Sequence, residues 1–378
     1  MNEIPLSAPD ITESEIEAVA AVLRTGRLSL GPQLQAFENA MAACLGAPHA
    51  IGVSSGTAGL HLTLLANNIG PGDEVIVPSF TFIAVANAVR YTGAHPVFAD
   101  IDPNTLNLDP ASVEAALTPR TRVLIAVHTF GRPADLPVLL AIAQRHNLLL
   151  IEDGCEAIGA RINGQPVGSF GDCAVFAFYP NKQITTGEGG MVLTRHPEIA
   201  RRIRALRNHG RYESAAPQSW LDHAEVGFNY RLSEMQAALG LAQLARLNEI
   251  LTRRESIARR YNERLAETPH LHLPTLDVPG QRLSWFVFVV RLAEECTRDD
   301  RDRVMRALAA EGIATGRYFA PIHQQPAYAE HPTAPLPVTE SIAARTLALP
   351  FFNRITEDQM QRVTRTLRTA LHSALAHK

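Results

Sequence analysis

Lys182 is one of only two lysines among the 35 basic residues of this sequence, and the other is the C-terminal Lys378. Unlike an arginine guanidinium, a lysine amine can lose its proton and attack a carbonyl carbon. Lys182 follows an apolar run and precedes a glycine-rich turn. Its position suggests Schiff-base chemistry, and the alternative is a surface lysine that arginine has not replaced. The bias toward arginine favours neither interpretation.

A run of small residues follows a predicted strand and opens a predicted helix: Ser54-Ser55-Gly56-Thr57-Ala58-Gly59-Leu60. Backbone N–H groups at the start of a helix are available to a ligand, and the helix dipole favours an anion there. The run therefore suggests a phosphate site. The alternative is an ordinary capped turn, because such a motif by itself is weak evidence.

The segment Ile151-Glu152-Asp153 ends the apolar run Leu148-Leu149-Leu150. An aspartate there could cap the next helix, which is the commoner role, or hold a protonated heterocyclic nitrogen. Phe82 lies at another predicted strand end, where it could stack on a flat ring or simply belong to the core. The glycines of residues 187–190 predict a flexible turn that returns the chain to the sheet.

Together these groups match the needs of one cofactor. A phosphate anchor, a ring-stacking aromatic, an aspartate for a pyridinium nitrogen and an imine-forming lysine are what pyridoxal phosphate requires. Their order along the chain also suits a wound α/β sheet. We therefore predict a pyridoxal phosphate site centred on Lys182 and Asp153, with no metal.

The elements that must position these groups form an alternating pattern of apolar runs and helical stretches, typical of a parallel sheet wound with helices. Ligands collect at the carboxyl ends of such strands, where Ser54, Asp153 and Tyr179 fall. The predicted strands are Ala50–Val53, Glu74–Pro78, Pro96–Asp100, Val123–Val127, Leu148–Glu152, Cys173–Phe178 and Gly190–Thr194. The predicted helices are Ala58–Asn67, Ile83–Tyr91, Leu136–His146 and Pro197–Asn208.

A long helix is predicted from Ser233 to about Ala266, leading into a smaller C-terminal domain. That domain is predicted to contain a strand and two helices, at Ser284–Arg291, Arg301–Glu311 and Glu357–Leu375. We thus expect an α/β protein with a large cofactor-binding domain, residues 1–245, whose wound sheet is mainly parallel. Residues 246–378 would form the smaller α+β domain.

Composition describes an ordinary globular protein: 378 residues, 46% apolar and 19% charged, with a net charge of −3. That net charge gives no electrostatic reason to expect binding to nucleic acid or to an anionic membrane. The four cysteines are widely spaced, which fits reduced thiols better than disulfides or a metal site. Neither a signal peptide nor a membrane span is predicted, so we expect a cytoplasmic protein.

At the level of motifs the chain resembles the DegT/StrS family of sugar aminotransferases, which have the aspartate aminotransferase fold (fold type I). The resemblance covers nearly the whole chain. Its motifs are residues 55–58 (SGTA), 78–82 (PSFTF), 127–135 (VHTFGRPAD), 152–153 (ED), 178–182 (FYPNK), 187–190 (GEGG), 227–238 (GFNYRLSEMQAA) and 321–328 (PIHQQPAY).

The resemblance implies roles for individual residues. Lys182 would form the Schiff base with the cofactor, and Asp153 would pair with the pyridinium nitrogen. Gly56, Thr57 and Ala58 would form the phosphate turn, with the backbone N–H groups of Thr57 and Ala58 cradling the phosphate, and Phe82 would stack on the ring. Asn229 would reach the phosphate of the neighbouring subunit's cofactor, which implies a homodimer with shared active sites.

Two positions depart from the family pattern. Glu156 stands where many relatives carry glutamine or histidine near the cofactor hydroxyl, so its carboxyl must be protonated or paired. Ala177 stands where many carry a serine that meets the phosphate, so that contact must come from elsewhere.

The function that the resemblance implies is transfer of an amino group from L-glutamate to a nucleotide-linked keto-sugar, a 4-keto-6-deoxyhexose or a 3-keto sugar, for polysaccharide or secondary-metabolite synthesis. The alternative with a different substrate is an aminocyclitol aminotransferase. A sugar deoxygenase of the same fold has histidine at the lysine position, so Lys182 argues against it. A non-catalytic sensor that binds the cofactor is the alternative of a different class.

Overall fold

The computed structural model of the protein describes residues 3–212, 222–331 and 333–375. Lys378 lies outside these ranges. The strands are β1 (His49–Val53), β2 (Glu74–Pro78), β3 (His95–Ala99), β4 (Thr121–Val127), β5 (Leu149–Asp153), β6 (Arg161–Ile162), β7 (Gln165–Pro166), β8 (Cys173–Ala177), β9 (Gly190–Thr194), β10 (Leu271–His272), β11 (Gln281–Arg282), β12 (Phe288–Leu292) and β13 (Thr346–Leu349). The helices are α1 (Glu13–Thr25), α2 (Pro32–Leu45), α3 (Gly56–Ala66), α4 (Ala84–Tyr91), α5 (Pro110–Ala115), α6 (Leu136–Arg145), α7 (Pro197–Leu206), α8 (Glu234–Ala245), α9 (Leu247–Leu265), α10 (Arg298–Ala310), α11 (Pro337–Arg345) and α12 (Glu357–Leu375).

The large sheet has seven strands in the spatial order β1-β9-β8-β5-β4-β2-β3. Neighbours from β8 through β3 pair in parallel, and β9 pairs antiparallel with both β1 and β8. Each strand predicted from the apolar runs is present within a residue or two. A mainly parallel wound sheet was expected, and the structure confirms it.

The strands read as nearly continuous apolar runs because both faces of the sheet are covered. One face packs against α3, α4 and α7, in a core that includes Leu62, Val89 and Ile203. The opposite face packs against α2 and α9 near β8 and against α6 near β4, around Phe37, Ile250 and Leu139. Burial on both faces leaves the carboxyl edge of the sheet as the place where polar side chains can gather.

The prediction of one long helix from Ser233 to about Ala266 is wrong. The segment is two helices, α8 and α9, separated at Arg246, whose backbone has φ −97° and ψ 4°. Arg246 forms ion pairs with Glu15 of α1 and with Asp10. The residues on either side favour helix, so the break depends on these contacts with a distant part of the chain.

The C-terminal part contains a three-stranded antiparallel sheet, in the order β10-β12-β13, packed against α10 and α12. A strand was predicted at Ser284–Arg291, and the observed strand, β12, begins four residues later, at Phe288. Ile4 from the N-terminal segment is buried in the same core and pairs with Ile313. The domain boundary at residue 245 stays a prediction. Among the described residues, none of the helices is long and apolar enough to cross a membrane.

Candidate active site

A cavity of about 480 Å³ opens at the carboxyl edge of the large sheet. Strand β5 ends in Asp153, β1 leads into Ser55, and β8 leads into the segment that carries Lys182. These strands point the same way, so their carboxyl ends meet at one edge. The structure thereby brings together most of the predicted site residues along the cavity wall: Gly56, Thr57, Phe82, Asp153, Glu156 and Lys182.

Strand β9 explains why the Ser55 and Lys182 segments are neighbours. Because β9 runs antiparallel between β1 and β8, its first residue, Gly190, pairs with the last residues of both, Val53 and Ala177. A Cβ at Gly190 would lie 2.6 Å from the carbonyl carbon of Ser55. The glycines of the expected flexible turn therefore have two different roles. Gly187 adopts a positive φ of +79°, and Gly190 lets the backbones of neighbouring segments pack closely.

The turn into α3 is held by Ser55, whose Oγ accepts a hydrogen bond from the N–H of Ala58 at 3.0 Å. Gly56 is packed so closely that a Cβ there would lie 2.8 Å from the Ala177 Cβ. The ordinary capped turn is thus present, and Gly56 and Thr57 still line the cavity. Ala58 does not line it, and its N–H already has a partner, so its predicted role toward a phosphate stays a prediction.

Lys182 lies inside the cavity and is not a surface lysine, since its side chain is only 14% exposed. Its Nζ is 3.7 Å from Glu156 Oε1 and 3.9 Å from the centre of the Phe286 ring. One carboxylate and one aromatic face therefore surround the amine. An amine held in this way has few positions available, which favours reaction with a carbonyl placed beside it.

Glu156 is buried, and its Oε2 accepts a hydrogen bond from the backbone N–H of Phe130 at 2.9 Å. Burial raises the pKa of the Glu156 carboxyl above its ordinary value, and the positive charge of Lys182 opposes this shift. The charge on the Glu156 carboxyl therefore depends on its ion pair with Lys182. The departure from the family pattern at this position thus brings a titratable group to the lysine.

Asp153 is 6% exposed and faces the cavity from the end of β5. No helix follows it in residues 154–160, so the helix-cap interpretation is wrong. Its Oδ1 instead accepts a hydrogen bond from the Cys155 N–H at 3.0 Å. Cys155 also makes a side-chain hydrogen bond with this carboxylate, and the rest of the carboxylate is available to a partner in the cavity.

A buried hydrogen-bond network fixes the strand end behind Asp153. Glu152 accepts hydrogen bonds from the backbone N–H groups of residues 168, 170 and 171, and its Oε2 is 3.3 Å from His128 Nε2. His128 Nδ1 accepts from the Ala134 N–H, which assigns the ring proton to Nε2 and directs it at Glu152. The network orients β4 and β5 and does not line the cavity itself.

Phe82 and Tyr179 both line the cavity with exposed rings, 62% and 51% exposed. Asn229 does not line the cavity of its own chain. It is exposed and forms a backbone bridge with Asn208. Its predicted role toward a neighbouring subunit stays a prediction.

The remaining wall comes from residues that sequence reasoning did not single out. Asn181 adjoins Lys182, and its buried Oδ1 has no hydrogen-bond partner. Phe286, Tyr318 and Phe319 reach the cavity from the C-terminal part of the chain. The conspicuous motif around Lys182 could have indicated Asn181. Nothing local distinguishes the three aromatic residues from core residues.

Comparison with known proteins defines the class to which this site belongs. Residues 9–368 match the model of the DegT/DnrJ/EryC1/StrS aminotransferase family, so the chain belongs to this family and is an aminotransferase. The match covers nearly the whole chain, as the motifs had indicated.

Individual relatives agree with this assignment. The chain is 42% identical over 372 residues to GDP-perosamine synthase of Caulobacter vibrioides, covering 97% of this chain and 99% of the relative. It is 40% identical over 381 residues to the spore coat polysaccharide biosynthesis protein SpsC of Bacillus subtilis, covering 98% of each. Its structure is similar to that of DesV from S. venezuelae in complex with a ketimine intermediate, with a TM-score of 0.89, 40% identity and 98% coverage of both chains.

Proposed function

We propose that this aminotransferase uses pyridoxal phosphate to move an amino group from L-glutamate to a nucleotide-linked keto-sugar. The observation that carries the proposal is the placement of the Lys182 amine and the Asp153 carboxylate in one cavity. The names of two relatives, a GDP-perosamine synthase and a spore coat polysaccharide biosynthesis protein, support a sugar substrate.

The cavity suits the cofactor on three grounds. Its polar groups include a primary amine, a buried carboxylate and the N-terminal N–H groups of α3, which match an aldehyde, a pyridinium and a phosphate. Phe82, 62% exposed, presents its ring to the cavity, where it would stack on a flat ring. Asn181 Oδ1 is a buried acceptor without a partner. Lys182 would hold the cofactor through its amine, with Asp153 at the ring nitrogen.

When bound, pyridoxal phosphate supplies a carbonyl group and a ring that accepts electrons from the substrate. The Asp153 carboxylate would keep the ring nitrogen protonated, because a nearby negative charge raises the pKa of a base. The Lys182 amine, once free, would take a proton from the substrate and return it as general base and acid. Glu156 Oε1 lies 3.7 Å from that amine and would attract it when the amine is positively charged.

The apolar wall of Phe286, Tyr318 and Phe319 would exclude water from the reacting groups and strengthen their electrostatic interactions. We infer a homodimer in which Asn229 of each subunit serves the other's site, since Asn229 is exposed and lies outside its own cavity. We also infer a cytoplasmic location from the sequence pattern of reduced, widely spaced cysteines.

Adding L-glutamate to the cofactor-loaded protein tests the donor half-reaction. The expected result is an absorbance change to the pyridoxamine phosphate form, with 2-oxoglutarate as product. A panel of nucleotide-linked 3- and 4-keto sugars, followed by mass analysis of the products, tests the acceptor. A protein that binds the cofactor but is unchanged by any amino donor would be a sensor, and amination of cyclitols alone would contradict the sugar assignment.

A further inference from the structure

A second cavity, of about 190 Å³, lies between the turn after β4 and the strands β12 and β13. Ten buried side-chain polar atoms among the described residues have no hydrogen-bond partner, and four of them belong to residues lining this cavity. The four are Thr129 Oγ1, Arg132 Nε, Arg291 Nε and Thr346 Oγ1. Unpartnered buried groups are costly and rare, so their concentration at one place indicates a ligand.

The two arginines are held in similar ways. One terminal nitrogen of Arg132 donates to the carbonyl of Asn104 at 3.0 Å, and one of Arg291 donates to the carbonyl of Pro103 at 2.8 Å. Neither guanidinium forms an ion pair with any carboxylate that the structure describes. Burial lowers the pKa of both arginines, and repulsion by Arg345 lowers that of Arg291 further. Two cations thus share the cavity, where Asp102 attracts Arg132 and Glu294 attracts Arg291 without forming an ion pair.

The two threonines add hydroxyl groups to the same wall. Thr129 is 1% exposed and Thr346 is fully buried. Thr346 begins β13 and lies directly across from Arg291 of β12, so their side chains lie on the same face of the small sheet. The cavity therefore presents two guanidinium Nε–H donors and two hydroxyls. Guanidinium groups recognise phosphate and carboxylate oxygens best, and hydroxyls can donate to the same oxygens.

Size restricts the ligand further. A water molecule occupies about 30 Å³ of liquid, so 190 Å³ corresponds to roughly six waters. Pockets for drug-sized molecules start at about 300 Å³. The space thus suits a single oxyanion group better than a whole nucleotide or sugar.

We propose that this cavity binds a phosphate oxyanion, either inorganic phosphate or a phosphate group of a nucleotide. The site is distinct from the candidate active site but adjoins it through Phe130. That residue lines the second cavity, while its ring packs on Phe319 and its N–H donates to Glu156, both of which line the first. A ligand bound between Thr129 and Arg132 would flank this connection.

Calorimetric titration of inorganic phosphate into the pyridoxal phosphate-loaded protein, in phosphate-free buffer, tests the proposal. Saturation with the cofactor fills the phosphate turn at Gly56, so that turn does not contribute. We expect Thr346→Val and Arg291→Met to weaken phosphate binding roughly tenfold to a hundredfold, the range for lost hydrogen bonds to a charged group. Arg365→Met removes the same charge from an exposed position on α12 and should change nothing.

The Thr346→Val variant keeps the test informative if Arg291→Met fails to fold. The Thr346 hydroxyl has no partner in the protein, so a valine of the same shape should fold at least as well. Equal phosphate affinity in the wild type, both cavity variants and Arg365→Met would overturn the proposal. So would a wild type that binds no phosphate at millimolar concentration, which would mean that the cavity holds only water.

Competition with guanosine diphosphate separates the two sources of phosphate. If the nucleotide displaces inorganic phosphate from the wild type, the site takes a phosphate group of a nucleotide. If inorganic phosphate binds at Thr346 and Arg291 and the nucleotide does not displace it, the ligand is the free anion. The measurement involves no turnover, so its failure leaves the proposed transamination standing, and the reverse also holds.

Discussion

Glu156 Oε1 lies 3.7 Å from Lys182 Nζ, and both side chains are nearly buried in the wall of one cavity. The Glu156 carboxyl also accepts a hydrogen bond from the Phe130 N–H, which fixes its position. Burial raises the pKa of Glu156 while Lys182 opposes that shift, so the charge of the carboxyl depends on the neighbouring amine. The amine that would carry the chemistry therefore has a titratable neighbour built into the site.

Glu156→Gln should reduce the dependence of stability on pH in the cofactor-free protein above pH 4.5. A raised folded pKa contributes stability that is complete below the ordinary value of 4.5 and is lost as the pH rises through the folded pKa. The wild type should therefore lose up to about 1.4 kcal/mol per pH unit relative to the variant above pH 4.5. Denaturant unfolding across this range measures the difference, and parallel stability curves would contradict it.

Asp153→Asn should retain the fold and the bound cofactor yet lose transamination by about a hundredfold to a thousandfold, as when one electrostatic partner is removed from an active site. The amide oxygen can still accept from the Cys155 N–H, so the turn survives. A neutral amide, however, cannot keep a ring nitrogen protonated. The measurement is the rate of the glutamate half-reaction. Near-normal turnover would show that Asp153 serves only the turn.

Reduction of the cofactor-loaded protein with borohydride should leave a pyridoxyl group on Lys182. The reason is its place in the cavity, 14% exposed and beside the buried Glu156. Peptide mass mapping locates the label, and the Lys182→Arg variant serves as the control because arginine forms no imine. A label on Lys378, or none at all with the cofactor supplied, would refute the assignment.

Gly190→Ala should destabilise the protein by about 1–3 kcal/mol, the usual cost of overpacking, and loosen the cofactor. The added Cβ would lie 2.6 Å from backbone atoms of Ser55, which cannot move without displacing the start of α3. Gly70→Ala is the matched control, since its nearest atom would be 3.8 Å away. Thermal unfolding and cofactor retention on dialysis measure both effects. Similar values for the two variants would mean that the close contact at Gly190 is easily relieved.

Mixing two inactive variants should restore activity if Asn229 acts across a dimer. A Lys182→Ala subunit is inactive in its own site, and an Asn229→Ala subunit would damage the site of its partner. In the heterodimer one site then carries both defects and the other carries neither. If Asn229 acts within its own chain, each site keeps one defect and mixing restores nothing. Activity is measured after heterodimers are confirmed by mass, and a lack of restoration would refute the action across subunits.

The seven strands of the large sheet could be predicted because burial on both faces demands continuous apolar runs, which are visible locally. The order of the strands could not. The position of β9 between β1 and β8 depends on pairing between residues more than a hundred apart, such as Val53 and Gly190. The helix break at Arg246 was missed for a related reason, because it depends on contacts with Asp10 and Glu15.

The sequence by itself determined the reactive groups. The motif around Lys182, the strand end at Asp153 and the small-residue turn at Gly56 together predicted a site, whereas the rarity of lysine alone favoured neither interpretation. Only the tertiary structure decided their surroundings: the carboxyl of Glu156 beside Lys182, the aromatic wall from Phe286 to Phe319, and the arginine-lined second cavity. The physical reason is that periodicity and strand ends are local properties of the chain. Which side chains meet is settled by burial and strand pairing between distant segments, which leave no pattern in either segment alone.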